Sequence, residues 1–273
     1  MSLRLEMLQV ARLAPKLLQE AAEPVAGFLR AQFNDDGGAR DRAGRSDLYY
    51  TVFALEGLVA LQQEIPTKVR AYLSGFGDGQ DLDFVHLTCL ARCWAALGKG
   101  SLGEDVSGAL ALKILQGGND SVYHQFLKFG ALEDLGAATD DPAGATEQIL
   151  ELQSPDGSFM GTTPTTAGAV TLLHHLGAEV PRSAIDWLYG RARPQGGFFP
   201  AADSPVPDLL STATALHALT AAHAPLGALR EPMLDFVDTL WTGKGFCGSW
   251  ADDAVDSEYT YYGLLSLGHL SLS

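Results

Sequence analysis

Apolar residues along the chain are grouped in Ala- and Leu-rich runs that alternate with glycine-rich breaks. Runs such as 109–115 and 213–219 have the spacing of α-helices, and no segment keeps the apolar–polar alternation of a half-buried strand. The glycines that follow a helix-like segment recur about every 40 residues, at Gly37, Gly79, Gly117, Gly157, Gly196 and Gly245. The pattern predicts an all-α protein with six repeats.

Each repeat is predicted to contain two helices. An amphipathic segment, residues 25–32 in the first repeat, precedes the break, and a more apolar segment follows it. Six helical hairpins can stack as an open solenoid or close into a ring, and a solenoid normally ends in polar repeats. Because the last repeat is as apolar as the middle ones, we expect a closed α/α barrel. This toroid is expected to form a single domain over 1–273, with repeats over roughly 20–270 and the second helices inside.

The second helices of three repeats begin with the same residue pattern. Asp47, Asp208 and Asp256 each stand four positions before a Thr and eight before a Leu, which places the three residue types on one helix face. An Asp carboxylate can accept hydrogen bonds from the N–H groups of a first helical turn, so we predict that the three aspartates are structural N-caps. The nearest equivalents in repeats two to four are Asp81, Asp120 and Ala167.

The composition and net charge of the chain limit the kinds of molecule that it is expected to bind. The 273 residues include 18 Lys and Arg against 33 Asp and Glu, a net charge of −15 that argues against nucleic acid. Hydrophobic residues make up 47% of the chain, enough for a large core. The odd number of cysteines is typical of a reducing compartment, and no run approaches the ~18 apolar residues of a membrane span. With no apolar signal segment at the N-terminus, a cytoplasmic location is expected.

Three segments resemble a known superfamily. Residues 153–159 resemble the Q-x-x-x-G-x-W/F motif of squalene and terpene cyclases, and residues 196–211 resemble a repeat of the prenyltransferase β-subunit. Residues 255–264 resemble the C-terminal repeat of that subunit. The resemblance covers most of the chain and implies an α/α toroid with a central, aromatic-lined cavity that holds isoprenoid chains.

Most of the zinc ligands of the prenyltransferases that this chain resembles are replaced here by other residue types. Their metal ligands are an Asp, a Cys two residues later and a His in the last repeat, and these correspond to Asp208, Leu210 and Tyr259 here. Two basic residues that bind the diphosphate in that family correspond to Ala202 and Pro205. We therefore predict no metal and no other cofactor.

The cyclase branch suggests a different candidate for catalysis. Its D-x-D-D motif uses an Asp as proton donor, and the segment Asp81-Leu82-Asp83-Phe84 is the nearest match. Asp83 is therefore the candidate acid, with help from His86, and the alternative is that Asp83 caps a helix or is solvated. His86 also shares a helix face with Cys89 and Cys93, but a fourth metal ligand is missing nearby.

Aromatic residues cluster near the starts of the second helices. We predict that five of them bind an apolar ligand at the mouth of the ring: Tyr50, Tyr123, Tyr259, Tyr262 and Trp250. The alternative is that they are ordinary packing residues.

Two functional hypotheses follow. The first is an isoprenoid-active enzyme, either prenyltransferase-like or similar to a class II terpene cyclase but without zinc. The second is a catalytically silent toroid that binds an apolar small molecule or a partner protein.

Overall fold

The computed structural model describes residues 2–98, 100–138 and 141–272. In these ranges the chain is mostly helical, and its one β-hairpin pairs β1 (Cys247–Ser249) with β2 (Asp252–Val255) in antiparallel fashion. Short 3₁₀ turns cover Gln19–Ala21 and Gly227–Leu229. The α-helices are α1 (Leu3–Ala11), α2 (Pro15–Leu18), α3 (Ala22–Arg30), α4 (Leu48–Ala60), α5 (Val69–Ser74), α6 (Phe84–Ala96), α7 (Glu104–Gln116), α8 (Val122–Asp134), α9 (Pro142–Glu151), α10 (Thr163–His175), α11 (Arg182–Tyr189), α12 (Leu209–Ala221), α13 (Arg230–Thr239) and α14 (Ser257–Leu270).

Six of these helices form a closed inner ring. Helices α4, α6, α8, α10, α12 and α14 each pack against the next, and α14 packs against α4. Twelve of the fourteen residues of α14 are buried, whereas the outer helix α7 buries only Leu110 and Ile114. This difference explains why the second segment of each repeat is apolar on all sides and the first is amphipathic. The predicted all-α toroid, with the second helices inside, is confirmed.

The inner helices are parallel to one another, so that their N-terminal ends lie at the same end of the ring. At their N-terminal ends the Tyr49 hydroxyl donates to a Glu258 carboxylate oxygen over 2.6 Å, joining the starts of α4 and α14. Near their C-terminal ends His217 of α12 and His269 of α14 lie 3.0 Å apart, nitrogen to nitrogen. We call the N-terminal end of the ring the mouth and the C-terminal end the base.

Helix α1 covers the base of the ring. It contacts α4, α8 and α14, and the backbone N–H of Leu3 donates to Glu133 near the end of α8 over 3.0 Å. Gly268 of α14 lies so close to the carbonyl of Val10 that a Cβ atom would clash with it. The N-terminal segment therefore closes one end of the ring and packs against the C-terminal helix.

The Asp-x-x-x-Thr pattern joins three inner helices, α4, α12 and α14, to the turns that precede them. Asp208 accepts a hydrogen bond from the Ser211 N–H over 2.6 Å, as expected of an N-cap. Thr212, four residues after the aspartate, is fully buried and accepts the N–H of Phe198 in the turn over 3.0 Å. The same Thr contact recurs for Thr51 and Thr260.

Asp47 and Asp256 lie in the same capping position as Asp208. Asp47 accepts from the Tyr50 N–H over 3.1 Å, and Asp256 accepts from the Tyr259 N–H over 2.9 Å. Asp256 also receives the Arg42 Nε over 2.9 Å, so its carboxylate has a second partner.

The caps of repeats two to four differ from the positions that the sequence pattern predicted. The structure places the caps two, one and five residues away from Asp81, Asp120 and Ala167, since the turns before the helices set the register. In repeat four, Thr166 is the residue that accepts the N–H of Phe159, over 3.0 Å. The helix therefore begins earlier than the sequence pattern indicated. The observed N-cap residues are Asp83, Ser121 and Thr162.

The inner helices are short. They contain 13 or 14 residues, about 20 Å at 1.5 Å per residue. Among the residues that the structure describes, no helix combines the length and apolar character needed to cross a bilayer.

Candidate functional site

A cavity of about 310 Å³ lies inside the ring, and all six inner helices contribute to its wall. Met7 of α1 lines it from the base. Most lining side chains are aliphatic or aromatic, which is typical of a pocket for an apolar small molecule. The arrangement suits a ligand that is surrounded by the ring and not one bound at its outer surface.

The lining residues form three levels along the ring axis, because the inner helices start at the same end. Residues in the second position of a helix, such as Tyr49 and Leu210, lie nearest the mouth. Residues in the fifth and sixth positions, such as Phe126, form the middle level. The ninth positions form the deepest level, and a rise of 1.5 Å per residue places them about 10 Å below the second positions. Three of these ninth residues line the cavity: Arg92, Thr171 and His217.

Two of the five predicted aromatic ligand contacts are cavity-lining residues. Tyr123, the second residue of α8, lines the cavity near the mouth and is 44% exposed. Tyr262 of α14 lines the middle level, where its ring packs against Phe53 at a centroid distance of 5.4 Å. These two side chains are placed to contact a ligand in the ring.

The other three predicted aromatics lie outside the cavity. Tyr50 and Tyr259 are third residues of their helices, and a rotation of about 100° per residue turns them away from the wall formed by second residues. Tyr259 instead packs under the Arg42 guanidinium at 5.5 Å. Trp250 follows β1, is 45% exposed and packs against Phe236. The two tyrosines therefore differ from the lining residues in helix phase, and Trp250 lies outside the inner helices.

Asp83 and His86 also lie outside the cavity. The Asp83 carboxylate is 66% exposed and accepts the backbone N–H of His86 over 2.9 Å, in the manner of an N-cap. That hydrogen bond, followed by the contact with the His86 ring, lowers the pKa of Asp83. An acid that protonates an alkene must stay neutral, so this geometry gives the carboxyl neither the place nor the protonation state that the cyclase-like hypothesis requires.

A charged network at the base was missed in the sequence. Glu56 and Arg92 are ninth residues of adjacent helices and lie 3.8 Å apart, oxygen to nitrogen. Arg4 of α1 reaches Glu56 at 3.5 Å and Asp134 at 2.9 Å. Burial raises the pKa of Asp134 to about 6 despite the two arginines. The signal in the sequence that could have indicated this network is a charged residue, Glu56 or Arg92, within an otherwise apolar inner helix.

His217 is a second polar residue that the sequence reading missed. Its Nδ1 lies 3.0 Å from Nε2 of His269, and both rings are almost fully buried. Burial lowers the pKa of His217 to about 4 and also lowers that of His269. Both imidazoles are therefore neutral near pH 7, and an N–H of one ring donates a hydrogen bond to a nitrogen of the other.

The cysteines and the positions compared with zinc ligands have other surroundings. Burial raises the pKa of Cys89, which lines the cavity, to about 12, so the residue is a neutral thiol. Leu210 lines the cavity, whereas Asp208 caps α12. Within the described ranges no three His, Cys, Asp or Glu side chains are grouped in a way that could hold a metal ion.

Glu258, at the mouth, has a strongly shifted pKa. It accepts the hydroxyl of Tyr49, a cavity-lining residue, over 2.6 Å. Burial raises its pKa to about 7, with smaller contributions from the negative charges of Asp256 and Asp208, while Tyr49 and Arg42 act in the opposite direction. Its protonation therefore changes near neutral pH.

Replacing Glu258 with glutamine is expected to stabilise the protein at pH 8 and to have little effect at pH 5. The ordinary pKa of the carboxyl is 4.5 and the folded value is about 7, so its favourable contribution is complete below about pH 4.5 and is lost as the pH rises through 7. A glutamine stays neutral and can still accept the Tyr49 hydroxyl. The expected gain at pH 8 is on the order of 2 kcal/mol, measured by urea denaturation at both pH values. An equal effect of the substitution at both pH values would contradict this assignment.

Comparison with known proteins agrees with the architecture. The family model of the prenyltransferase alpha-alpha toroid domain matches residues 16–99 and 166–271, more than half of the chain. The matched segments contain four of the six inner helices completely and α10 from residue 166 onward, and α8 lies between the two segments. No curated protein matches the sequence. With the ring closed as described and the family model covering most of its repeats, the chain belongs to the prenyltransferase alpha-alpha toroid domain family.

Proposed function

We propose that this protein binds an isoprenoid-like apolar molecule in the central cavity of the toroid. The observation that carries the proposal is the cavity itself, about 310 Å³ in volume and lined from every inner helix of a prenyltransferase alpha-alpha toroid domain. The aromatic side chains of Tyr123 and Tyr262 offer flat apolar surfaces for a branched, unsaturated chain.

The size of the cavity limits the ligand. A water molecule occupies about 30 Å³ in the liquid, and a methylene group is of similar size, so the space holds roughly ten to fifteen carbon atoms. Burial yields about 0.8 kcal/mol per methylene, a total of roughly 8–12 kcal/mol, against an association cost of at least about 4 kcal/mol. The remainder corresponds to dissociation constants between about 1 μM and 1 mM.

The chemistry of the wall favours binding over turnover. Among the described residues that line the cavity there is no carboxylate, and the thiol of Cys89 is neutral. The residues at the family's zinc positions include only one metal-binding type, Asp208. Isoprenoid turnover would need a proton donor or a leaving-group clamp. Among the described lining residues Arg92 is the only fixed positive charge, and Glu56 lies beside it.

Titration of the purified protein with farnesol and with farnesyl diphosphate tests the proposal. We expect the alcohol to bind at least as tightly as the diphosphate, since Ala202 and Pro205 stand at the family's diphosphate-binding positions and the chain carries a net charge of −15. Calorimetry gives both affinities, and native mass spectrometry of freshly purified protein would detect a retained lipid. A strong preference for the diphosphate would favour the transferase hypothesis, and no binding of either compound would leave the protein-partner hypothesis.

A further inference from the structure

The deepest level of the cavity contains an arginine and a histidine, which the lining residues of the levels above it do not include. The ninth residues of α6, α10 and α12 are Arg92, Thr171 and His217, and all three line the cavity. Nearer the mouth, the second residues that line the cavity are Tyr49, Tyr123, Pro164 and Leu210. The hydroxyl of Tyr49 is already bonded to Glu258. The cavity is therefore mostly apolar where a ligand enters and has its most polar side chains near the base.

Arg92 has donor capacity that its protein neighbours do not use. Among the described residues its only ion-pair partner is Glu56, at 3.8 Å, which is longer than a hydrogen bond. Its Nε is buried without a hydrogen-bond partner, and its side chain is 14% exposed. Since Arg92 lines the cavity, its remaining N–H groups can reach a ligand atom there.

Thr171 offers a second polar group on a different wall of the cavity. Most lining threonines have partners: the Thr214 hydroxyl, for example, donates to the carbonyl of Leu210 over 2.8 Å. Within the described part of the chain, Thr171 makes no side-chain hydrogen bond, although the residue is only 3% exposed. Because Thr171 lines the cavity, its hydroxyl is available to a polar atom of a ligand there.

The charges around Arg92 select a neutral ligand group. Arg92 and Arg4 lie beside Glu56 and Asp134, so two positive groups face two carboxyl groups. A carboxylate or phosphate at this place would add a third negative group to the network. A hydroxyl or carbonyl oxygen accepts from the guanidinium and adds no charge. His217 stays neutral and provides no further positive charge.

We propose that the cavity takes an apolar chain that carries one neutral oxygen, a hydroxyl or carbonyl, with the oxygen bound at the base by Arg92 and Thr171 and the chain extending towards the mouth. This inference rests on the proposed ligand-binding function and adds the polar group and the direction of binding. The distance of about 10 Å between the deepest and outermost levels accommodates a chain of roughly eight carbon atoms in extended form.

Displacement of a bound fluorescent apolar probe tests the oxygen requirement. In the unaltered protein, farnesol is expected to compete at least ~10-fold better than farnesene, the matching hydrocarbon without oxygen. Thr171→Val should reduce this ratio several-fold, and Arg92→Met should remove it. The control is Thr220→Val, in α12 but outside the cavity lining, which should keep the original ratio. Thr171→Val keeps the side-chain shape and so provides a result if Arg92→Met folds poorly.

A pair of labelled ligands tests the direction. A fluorophore attached at the hydrocarbon end should be tolerated at the mouth, whereas the same fluorophore attached through the oxygen should weaken binding at least ~10-fold. Equal affinity for farnesol and farnesene, or a preference for the oxygen-labelled compound, would overturn the inference and leave the apolar binding function in place. If neither farnesol nor farnesene displaces the probe, the binding function itself fails, and the inference with it.

Discussion

Replacing Gly168 with leucine is expected to weaken farnesol binding about 100-fold without unfolding the protein. Gly168 is the sixth residue of α10, lines the cavity, and has no atom within 4 Å of the place where a Cβ would lie. The four carbons of the new side chain would occupy space that the ligand otherwise fills. At about 0.8 kcal/mol for each displaced methylene the loss is about 3 kcal/mol, which corresponds to about 100-fold in affinity. Calorimetry measures the effect.

The control for this variant is a glycine of an outer helix. Gly108 is exposed in α7 and also has open space at its Cβ position. Gly108→Leu and Gly168→Leu should both gain roughly 0.5–1 kcal/mol in helix propensity, and only Gly168→Leu should lose affinity. Unchanged farnesol affinity in Gly168→Leu, with an unchanged circular dichroism spectrum, would show that the ligand binds elsewhere.

Replacing Arg4 with methionine is expected to produce the largest loss of stability, about 3–5 kcal/mol at pH 7.5. The Arg4 side chain is 10% exposed and contacts Glu56 and Asp134, whose side chains are 1% and 2% exposed. Without Arg4, Arg92 is the remaining cation beside two buried carboxylates. Because an uncompensated carboxylate is more easily protonated, the loss should be smaller at pH 5. Urea denaturation at the two pH values measures both effects.

A second arginine of the same helix region provides the comparison. Arg12 follows α1 and is exposed, so Arg12→Met should change the free energy of unfolding by less than about 0.5 kcal/mol. In the Arg4→Met and Asp134→Asn double variant, the loss should be smaller than the sum of the two single losses, because one unpaired carboxylate has been removed. A loss below about 1 kcal/mol for Arg4→Met would mean that α1 is not anchored by this network.

Much of the fold could be predicted because it depends on local patterns. A helix that faces the ring interior on one side and outer helices on the other is apolar all round, and this property is visible in α4, α12 and α14 as printed in the sequence. Asp208 and Asp256 were predicted as caps from the Thr four residues later, and the structure shows why that Thr recurs, since it binds the preceding turn. Where the Asp is replaced, as at Thr162, the pattern alone did not locate the helix start.

The candidate site could be predicted only in part, because it depends on helix phase. Tyr49 and Tyr50 are adjacent in sequence and chemically alike, yet Tyr49 lines the cavity and Tyr50 does not. A difference of one residue rotates a side chain by about 100°, and the phase is set by the neighbouring helices. Asp83 matched a catalytic motif by sequence, but the start of α6 lies at the exposed mouth, where the carboxylate is solvated.

The sequence by itself determined the repeat, the all-α class and the inner and outer positions of the helices, because each depends on residue type and spacing along one segment. Only the tertiary structure decided that Glu56, Arg92, Thr171 and His217 share one level of the ring and that α1 supplies Arg4 to it. These residues come from four different repeats and from the N-terminal helix. Closing the ring brings them together, and no spacing along the chain records that contact.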